Sequence, residues 1–205
     1  MLLLSLACTG SLTDFFGGDG SETTTDTGSI ADTGDTETED PDAQAEDDAR
    51  VRAMTDLPEG DYPCQAPILV RIPYITDGDT VYVWPEDDSE GFKVRMIGID
   101  TPEIAHEDGE VADCYGDEAT AFTASQIQDQ LAWLTFDAEC LDYYDRVLAY
   151  IIRDEGEEGF FNRVLARQGY ATQLTVQPNS SFADDFADDV AAAKEDNLGL
   201  WGACE

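Results

Sequence analysis

From Ile68 to the C-terminus apolar residues recur at regular intervals, whereas after Phe16 and before that point they hardly recur at all. Ile68-Leu69-Val70-Arg71-Ile72 and Thr80-Val81-Tyr82-Val83-Trp84 are β-branched and aromatic runs. Phe92-Lys93-Val94-Arg95-Met96-Ile97 places an apolar group at every second position. These runs, separated by turn residues, predict three strands of a meander. Residues 116–131 predict a helix that opens near Gly116 and carries Ala119 and Phe122. Trp133-Leu134-Thr135-Phe136 predicts a fourth strand, and Val147-Leu148-Ala149-Tyr150-Ile151-Ile152 a fifth. A short helix is expected over 161–168, where Phe161 and Leu165 stand one turn apart, and another over 183–195. In the latter, Ala183, Phe186, Val190 and Ala193 share one face, while Asp184, Asp185, Asp188 and Asp189 fall mostly on the other, a solvated one. Five strands with interleaved helices point to an α+β domain built on a small closed barrel.

Residues 9–62 read differently. Thr, Asp, Glu, Gly and Ser dominate, and such a composition buries too little apolar surface to offset ordering entropy. A disordered spacer is expected, kept extended by its like charges. Ahead of it, Met1-Leu2-Leu3-Leu4-Ser5-Leu6-Ala7 leads into Cys8 and Thr9-Gly10, which resembles the end of a bacterial lipoprotein signal peptide. Cleavage before Cys8 would leave that cysteine to carry a lipid, although no basic segment precedes the short apolar run. The expected organisation is a signal remnant over 1–8, an acidic linker over 9–62 and a folded domain over 63–205. It would lie outside the cytoplasm, lipid-anchored to the envelope or secreted. No other stretch is apolar and long enough to span a membrane.

Charge sharpens the picture. The chain of 205 residues has a formal net charge of −36. Residues 64–205 hold 30 acidic and 8 basic residues, a charge of −22, and the only lysines of the whole chain are Lys93 and Lys194. This argues against capture of nucleic acid by long-range attraction. An acid-rich, lysine-poor surface suits high salt, where the Debye length is roughly 3 Å at 1 M. Five cysteines are present and none forms a CxxC pair, which argues against zinc. Setting Cys8 aside leaves an even number, and in an exported chain Cys64, Cys114, Cys140 and Cys204 predict two disulfides. Three pairings exist. Cys64–Cys204 would tie the two ends of the domain, and Cys114–Cys140 would then tie two loops.

Against this acidic background three short stretches stand out: Asp77-Gly78-Asp79-Thr80, Arg95 through Glu103, and Tyr144-Asp145-Arg146. Asp79 and Asp100 are hard oxygen donors that could share one divalent cation, and calcium suits such ligands. Arg95 and Arg146 are fork-shaped, permanently charged donors that match phosphate oxygens. Glu103 is a carboxylate placed to act on a water. Together they are the parts of phosphodiester hydrolysis: a cation, an anion clamp and a base. Each has a plainer reading, since Asp-Gly-Asp is a common turn and Arg146 could pair with Asp142 or Asp145 on the surface. The solitary His106 reads as a solvated loop residue, and Trp84, Trp133 and Trp201 as packing residues.

From about Ile68 to Trp201 the chain resembles the staphylococcal nuclease (thermonuclease) family. The likeness rests on Asp77-Gly78-Asp79-Thr80-Val81, on Val94 through Glu103 with His106, on Tyr115-Gly116-Asp117-Glu118-Ala119, and on Asp145 through Tyr150. It continues with Asn162, Gly169-Tyr170-Ala171 and Gly199-Leu200-Trp201, all in family order. The resemblance implies a five-stranded OB-fold barrel flanked by three helices, and calcium-dependent cleavage of DNA and RNA that leaves 3′-phosphate ends. It implies that Asp79 and Asp100 bind Ca2+ through carboxylates and Thr101 through its carbonyl, with Asp77 near the metal. Glu103 would be the general base, Arg95 and Arg146 would hold the scissile phosphate, and Tyr144 would help bind a terminal phosphate. No protein partner is implied, and a monomer is expected.

The sequence departs from the family pattern around this centre. Tyr143 stands where a lysine is usual, Leu174 and Val176 where tyrosines line the nucleotide site, and Asp145 where a glycine precedes the second arginine. Loop 104–113 is acidic where well-studied members are basic. These changes predict weakened grip and slow or salt-requiring turnover. A non-catalytic OB-fold module binding nucleic acid or another ligand is the alternative, and a surface lipoprotein with a vestigial site is a third.

Overall fold

The computed structural model describes residues 63–86, 90–105, 109–153 and 159–204. Cys8, the expected linker over 9–62 and His106 lie outside the described residues. The strands are β1 (Ile68–Ile75), β2 (Thr80–Pro85), β3 (Phe92–Met96), β4 (Gly98–Asp100), β5 (Leu131–Thr135), β6 (Val147–Ile152) and β7 (Thr172–Leu174). The helices are α1 (Gly116–Ile127), α2 (Phe161–Arg167), α3 (Ala183–Glu195) and the single turn α4 (Leu200–Ala203). Five strands close a barrel in the order β1-β2-β3-β6-β5, while β4 and β7 form a separate two-stranded sheet. Within the barrel only β3 and β6 run parallel. The chain thus forms the expected OB-fold barrel with three flanking helices, plus the C-terminal turn.

Alternation explains the closure. Val70, Ile72, Val81, Val83, Val94, Leu134 and Ile151 are all fully buried and fill the barrel interior. In β1 the inward residues are Val70, Ile72 and then Ile75, out of step by one. A register shift against β2 between Arg71 and Tyr74 absorbs the extra residue, as a bulge does. Asn162 fastens α2 to the barrel. Its side-chain oxygen accepts the Ile151 N–H at 2.9 Å, and its amide nitrogen donates to the Ile97 carbonyl at 2.9 Å. The latter bond fixes the link between β3 and β4, which carries the centre of the candidate site. Gly98 opens β4 at φ +86°, and a Cβ there would strike the Phe186 ring of α3.

Several expectations are corrected. Helix α1 stops at Ile127, because Asp129 takes a left-handed φ of 59° and Gln130 turns the chain into β5. Asp189 is not on a solvated face. It is buried, accepting Arg163 Nε–H at 2.6 Å and pairing with Arg167 Nε at 3.2 Å, so it joins α3 to α2. Trp133 and Trp201 pack against the core, but Trp84 is exposed and meets Tyr82 edge-on.

All four domain cysteines are bridged, but with exchanged partners: Cys64–Cys140 and Cys114–Cys204, with Cα atoms 5.7 and 5.9 Å apart. The antiparallel register gives the reason. Ile68 faces Leu134, so each step back along the chain from β1 is a step forward beyond β5. That course brings Cys64 alongside residues 137–140, where its N–H donates to the Asp137 carbonyl at 2.8 Å. Cys204, following α4, then meets Cys114 just ahead of α1.

Candidate active site

The turn between β1 and β2 builds the first wall. Thr76 and Asp77 donate their N–H groups to the Thr80 carbonyl at 2.9 and 3.2 Å. The Asp77 carboxylate accepts the N–H groups of Asp79 and Thr80 at 3.1 and 2.7 Å. Asp77 is thereby spent on turn geometry, the local role of Asx residues. Gly78 sits where a Cβ would come within 2.5 Å of Thr101 Oγ1, and its carbonyl accepts the Thr123 hydroxyl of α1 at 2.7 Å. The turn is thus pressed against Thr101 and held by α1, which turns Asp79 inward.

Asp79 is only 3 % exposed. One carboxylate oxygen accepts the Thr101 N–H at 2.8 Å and the other accepts the Thr80 hydroxyl at 3.2 Å. Arg95 stands on β3 opposite Thr80, and its guanidinium pairs with Asp79 through Nη1 and with Asp100 through Nη2, the latter at 2.6 Å. Asp100 is positioned by the β4–β7 pair, where it faces Thr172 and accepts that residue's hydroxyl at its carbonyl, 3.2 Å away. Asp79, Arg95, Asp100 and Thr101 therefore meet. Burial pushes the Asp79 carboxyl up to about 7 from 3.8, outweighing the lowering pull of Arg95 and of the Thr101 amide.

Two carboxylates gripping one positive group are a donor set that fits a hard cation. Among the described residues no cluster of three or more His, Cys, Asp or Glu side chains forms a metal cage. The two carboxylates that meet at Arg95 are hard oxygen donors of the kind that calcium takes.

The second wall is the segment leading into β6. Arg146 immediately precedes that strand, and the parallel register of β3 with β6 sets Arg95 beside Leu148. Arg95 and Arg146 consequently line one cleft of about 500 Å³. Asp142 orders this segment: its carboxylate accepts the N–H groups of Tyr144 and Arg146 at 2.8 and 2.9 Å, and Arg146 Nε–H at 2.7 Å. Burial alone would raise the Asp142 carboxyl, but those hydrogen bonds and the guanidinium charge bring it below its ordinary value. Asp145 takes φ 60°, the left-handed conformation a glycine would adopt freely and one that Asp tolerates better than most residues. The Arg146 guanidinium lies 5.6 Å from the centre of the Tyr144 ring.

Glu103 is placed differently. It is exposed and is not among the residues lining this cleft. Its backbone is clasped by Asp113, whose N–H donates to the Glu103 carbonyl at 2.9 Å and whose carboxylate accepts the Glu103 N–H at 3.4 Å. It follows Thr101 by two residues, so the cation ligands and the expected base share one short segment. Asp113 carries no signal in the sequence, and Asp142 stood there only beside Asp145 as a candidate surface partner of Arg146. Only the local Asp142-x-Tyr144-x-Arg146 spacing, an Asx-turn pattern, hinted at more.

Residues 93–203 match the sequence model of the family described as "Staphylococcal nuclease homologue". The chain is 33% identical over 128 residues to a protein named "Thermonuclease" from Staphylococcus intermedius, covering 62% of this chain and 72% of that protein. A "Thermonuclease" of Staphylococcus hyicus is 33% identical over 127 residues, with 62% of this chain and 72% of that protein covered. A Bacillus subtilis (strain 168) protein named "Endonuclease YncB" is 30% identical over 137 residues, covering 65% of this chain and 62% of that protein.

Proposed function

Because the chain belongs to the staphylococcal nuclease family, we propose that it is a calcium-dependent nuclease hydrolysing the phosphodiester bonds of DNA, RNA or both. One observation carries the reading: two arginines line a single cleft, and one of them is held by two carboxylates. Asp79, Asp100 and the Thr101 carbonyl would hold Ca2+, which when bound supplies charge to stabilise the phosphate as negative charge develops on it.

The chain's own groups do the rest. Arg95 and Arg146 grip the phosphate oxygens from two sides, a fixed array of donors in a cleft with apolar walls. Arg95 is committed to Asp79 and Asp100 in the present arrangement, so serving a phosphate requires those carboxylates to take another cation in its place. Asp142 keeps the Arg146 guanidinium at the cleft by occupying its Nε. Glu103 accepts the proton of an attacking water, while Asp113 fixes the backbone it rides on. Water attacks phosphorus, the bond to the 5′ oxygen breaks, and a 3′-phosphate and a 5′-hydroxyl result.

The two disulfides support a place outside the cytoplasm, where free calcium is abundant and a site of roughly 10⁻⁴ to 10⁻³ M affinity suffices. Anchoring through a lipid on Cys8 belongs to the same proposal. The test is digestion of single- and double-stranded DNA and of RNA by the full chain, in calcium and in chelator, across a salt series. Cleavage that requires calcium supports the reading. No cleavage of any of them at millimolar calcium, at low or high salt, overturns it.

A further inference from the structure

The outer face of β1, β2 and β3 carries a track that starts at Arg95 and leads away from the cleft. Val81, Val83 and Val94 point into the barrel and are fully buried, so Tyr82, Trp84, Lys93 and Arg95 point outward. The register sets these residues in rows across the strands. Thr80 faces Arg95, Tyr82 faces both Lys93 and Tyr74, and Trp84 faces Arg71. A strand rises about 3.4 Å per residue, so successive rows are about 7 Å apart and the last lies about 14 Å from Arg95. Tyr82, Trp84 and Lys93 do not line the cleft.

Residues 64–205 carry −22, yet three of their eight basic residues, Arg71, Lys93 and Arg95, stand in these three rows with no acid among them. Among the described residues Lys93 enters no ion pair. The first acid beyond Trp84 is Glu86, just past the end of β2, 3.8 Å from Arg71 Nε. Tyr74 is 61 % exposed and Trp84 48 %, and the Trp84 ring meets Tyr82 edge-on with centres 6.2 Å apart. Gly91 leaves room for the Tyr82 ring, because a Cβ there would lie 2.8 Å from it. Cations one row apart, with aromatic rings between them, complement a polymer in which phosphates alternate with apolar faces. A nucleic-acid strand is such a polymer, and barrels of this class bind oligonucleotides on the face of their second and third strands. An anionic lipid surface would also meet Arg71 and Lys93, but it has no reason to follow a line that ends at Arg95.

We propose that this face is a second contact surface for the substrate, outside the cleft. The strand whose scissile phosphate sits at Arg95 runs on over Lys93 and Arg71, which take its following phosphates, while Tyr82, Trp84 and Tyr74 take the apolar faces between them. The inference rests on the nuclease reading and adds that the chain favours polymers over short fragments. At a helical rise of about 3.4 Å per nucleotide the track spans about four nucleotides, so a dinucleotide ends short of Trp84. A local track of this kind also gives a strongly acidic chain a grip that long-range charge denies it.

The experiment has two arms. In the first, steady-state cleavage of long oligonucleotides and of dinucleotides is measured in calcium for the parent chain and for variants at two exposed positions. Trp84→Ala should raise KM for long strands roughly 5- to 150-fold with kcat little changed, and Trp84→Tyr should stay near the parent. Lys93→Ala should flatten the salt dependence for long strands by a slope of about 0.7 to 0.9. The losses should be confined to long substrates, with kcat/KM for dinucleotides retained. In the second arm, binding of labelled long oligonucleotides to the Glu103→Gln chain is followed by fluorescence anisotropy, and the same substitutions should weaken it. Cleavage of long strands with a KM that neither substitution changes overturns the inference and leaves the nuclease reading standing. So does an unchanged KM together with weaker sedimentation of the variants on phosphatidylglycerol vesicles, which would assign the face to a membrane. Binding that depends on Trp84 and Lys93 with no cleavage by the parent chain upholds the inference and overturns the nuclease reading instead.

Discussion

The Asp142 carboxylate holds Arg146 at two points, accepting its backbone N–H at 2.9 Å and its Nε–H at 2.7 Å. Both residues line the cleft, so the carboxylate holds the guanidinium at its wall. The preceding Asp145, in its left-handed conformation, lets the turn close so that this happens.

Asp142→Ala should therefore cost activity while leaving the barrel intact. A hydrogen bond to a charged group is worth about 1.5–3 kcal/mol, so kcat/KM should fall roughly 10- to 100-fold. Asp142→Glu should recover part of it, and Asp142→Ala should add little to the loss already caused by Arg146→Ala, because both act through one guanidinium. The depressed carboxyl value also fixes a sign. Its contribution to stability is complete above the ordinary value of 3.8 and is lost as the pH falls below it. Acid titration of the melting temperature, compared between the parent and Asp142→Asn, reads that loss.

Asp79 behaves in the opposite sense. Burial pushes its carboxyl up to about 7, so its contribution to stability is complete below 3.8 and disappears as the pH rises through about 7. In chelator, the domain should melt at a lower temperature at pH 8 than at pH 5. Calcium should reverse the difference by giving the buried carboxylate a partner. Asp79→Asn should flatten the pH dependence in chelator and abolish the calcium-induced rise. Thermal melts at the two pH values, with and without calcium, check both.

The disulfides close sequence separations of 76 and 90 residues. In the chain-entropy description each contributes about 4 kcal/mol, so replacing either pair with serine should lower the melting temperature by on the order of 10 °C. The two pairs should differ in their effect on activity. Cys114 adjoins Asp113, which clasps Glu103, so loss of Cys114–Cys204 should lower kcat. Cys140 lies beside the Asp142 segment, so loss of Cys64–Cys140 should raise KM. Kinetics measured well below the melting temperature separate these effects from unfolding.

Gly78→Ala should damage the site from behind. The added methyl would press on Thr101 Oγ1 from 2.5 Å, and the segment carrying a cation ligand would have to shift. Calcium affinity measured by calorimetry should weaken clearly while the barrel remains folded. Unchanged affinity would mean that the turn is free to move aside.

The barrel was legible because its strands alternate or run apolar over five or more residues, as Phe92–Ile97 and Val147–Ile152 do. Strands β4 and β7 were not, since three residues carry no period, and yet β4 is what delivers Asp100. The metal pair and both arginines were legible as residue types in an unusually acidic chain. Their convergence was not, because it depends on the register of β3 against β2 and β6. Disulfide partners eluded the sequence for the same reason: Cys64 reaches Cys140 only through the β1–β5 register. Asp189 shows the limit of face patterns, since an aspartate on the charged side of α3 is buried by two arginines of α2. Asp113 and Asp142 were hidden among many other acids, and only their hydrogen bonds distinguish them.

The central claim is that Glu103 works with the cation ligands and the arginine pair in hydrolysis. The most direct test is the single-turnover rate of oligonucleotide cleavage by the parent chain and by Glu103→Gln, in saturating calcium. A general base contributes about 10²- to 10⁴-fold, so the variant should be slower by that factor, with binding retained and all cleavage stopped by chelator. Equal rates for the two proteins, or cleavage that persists in chelator, would contradict the account.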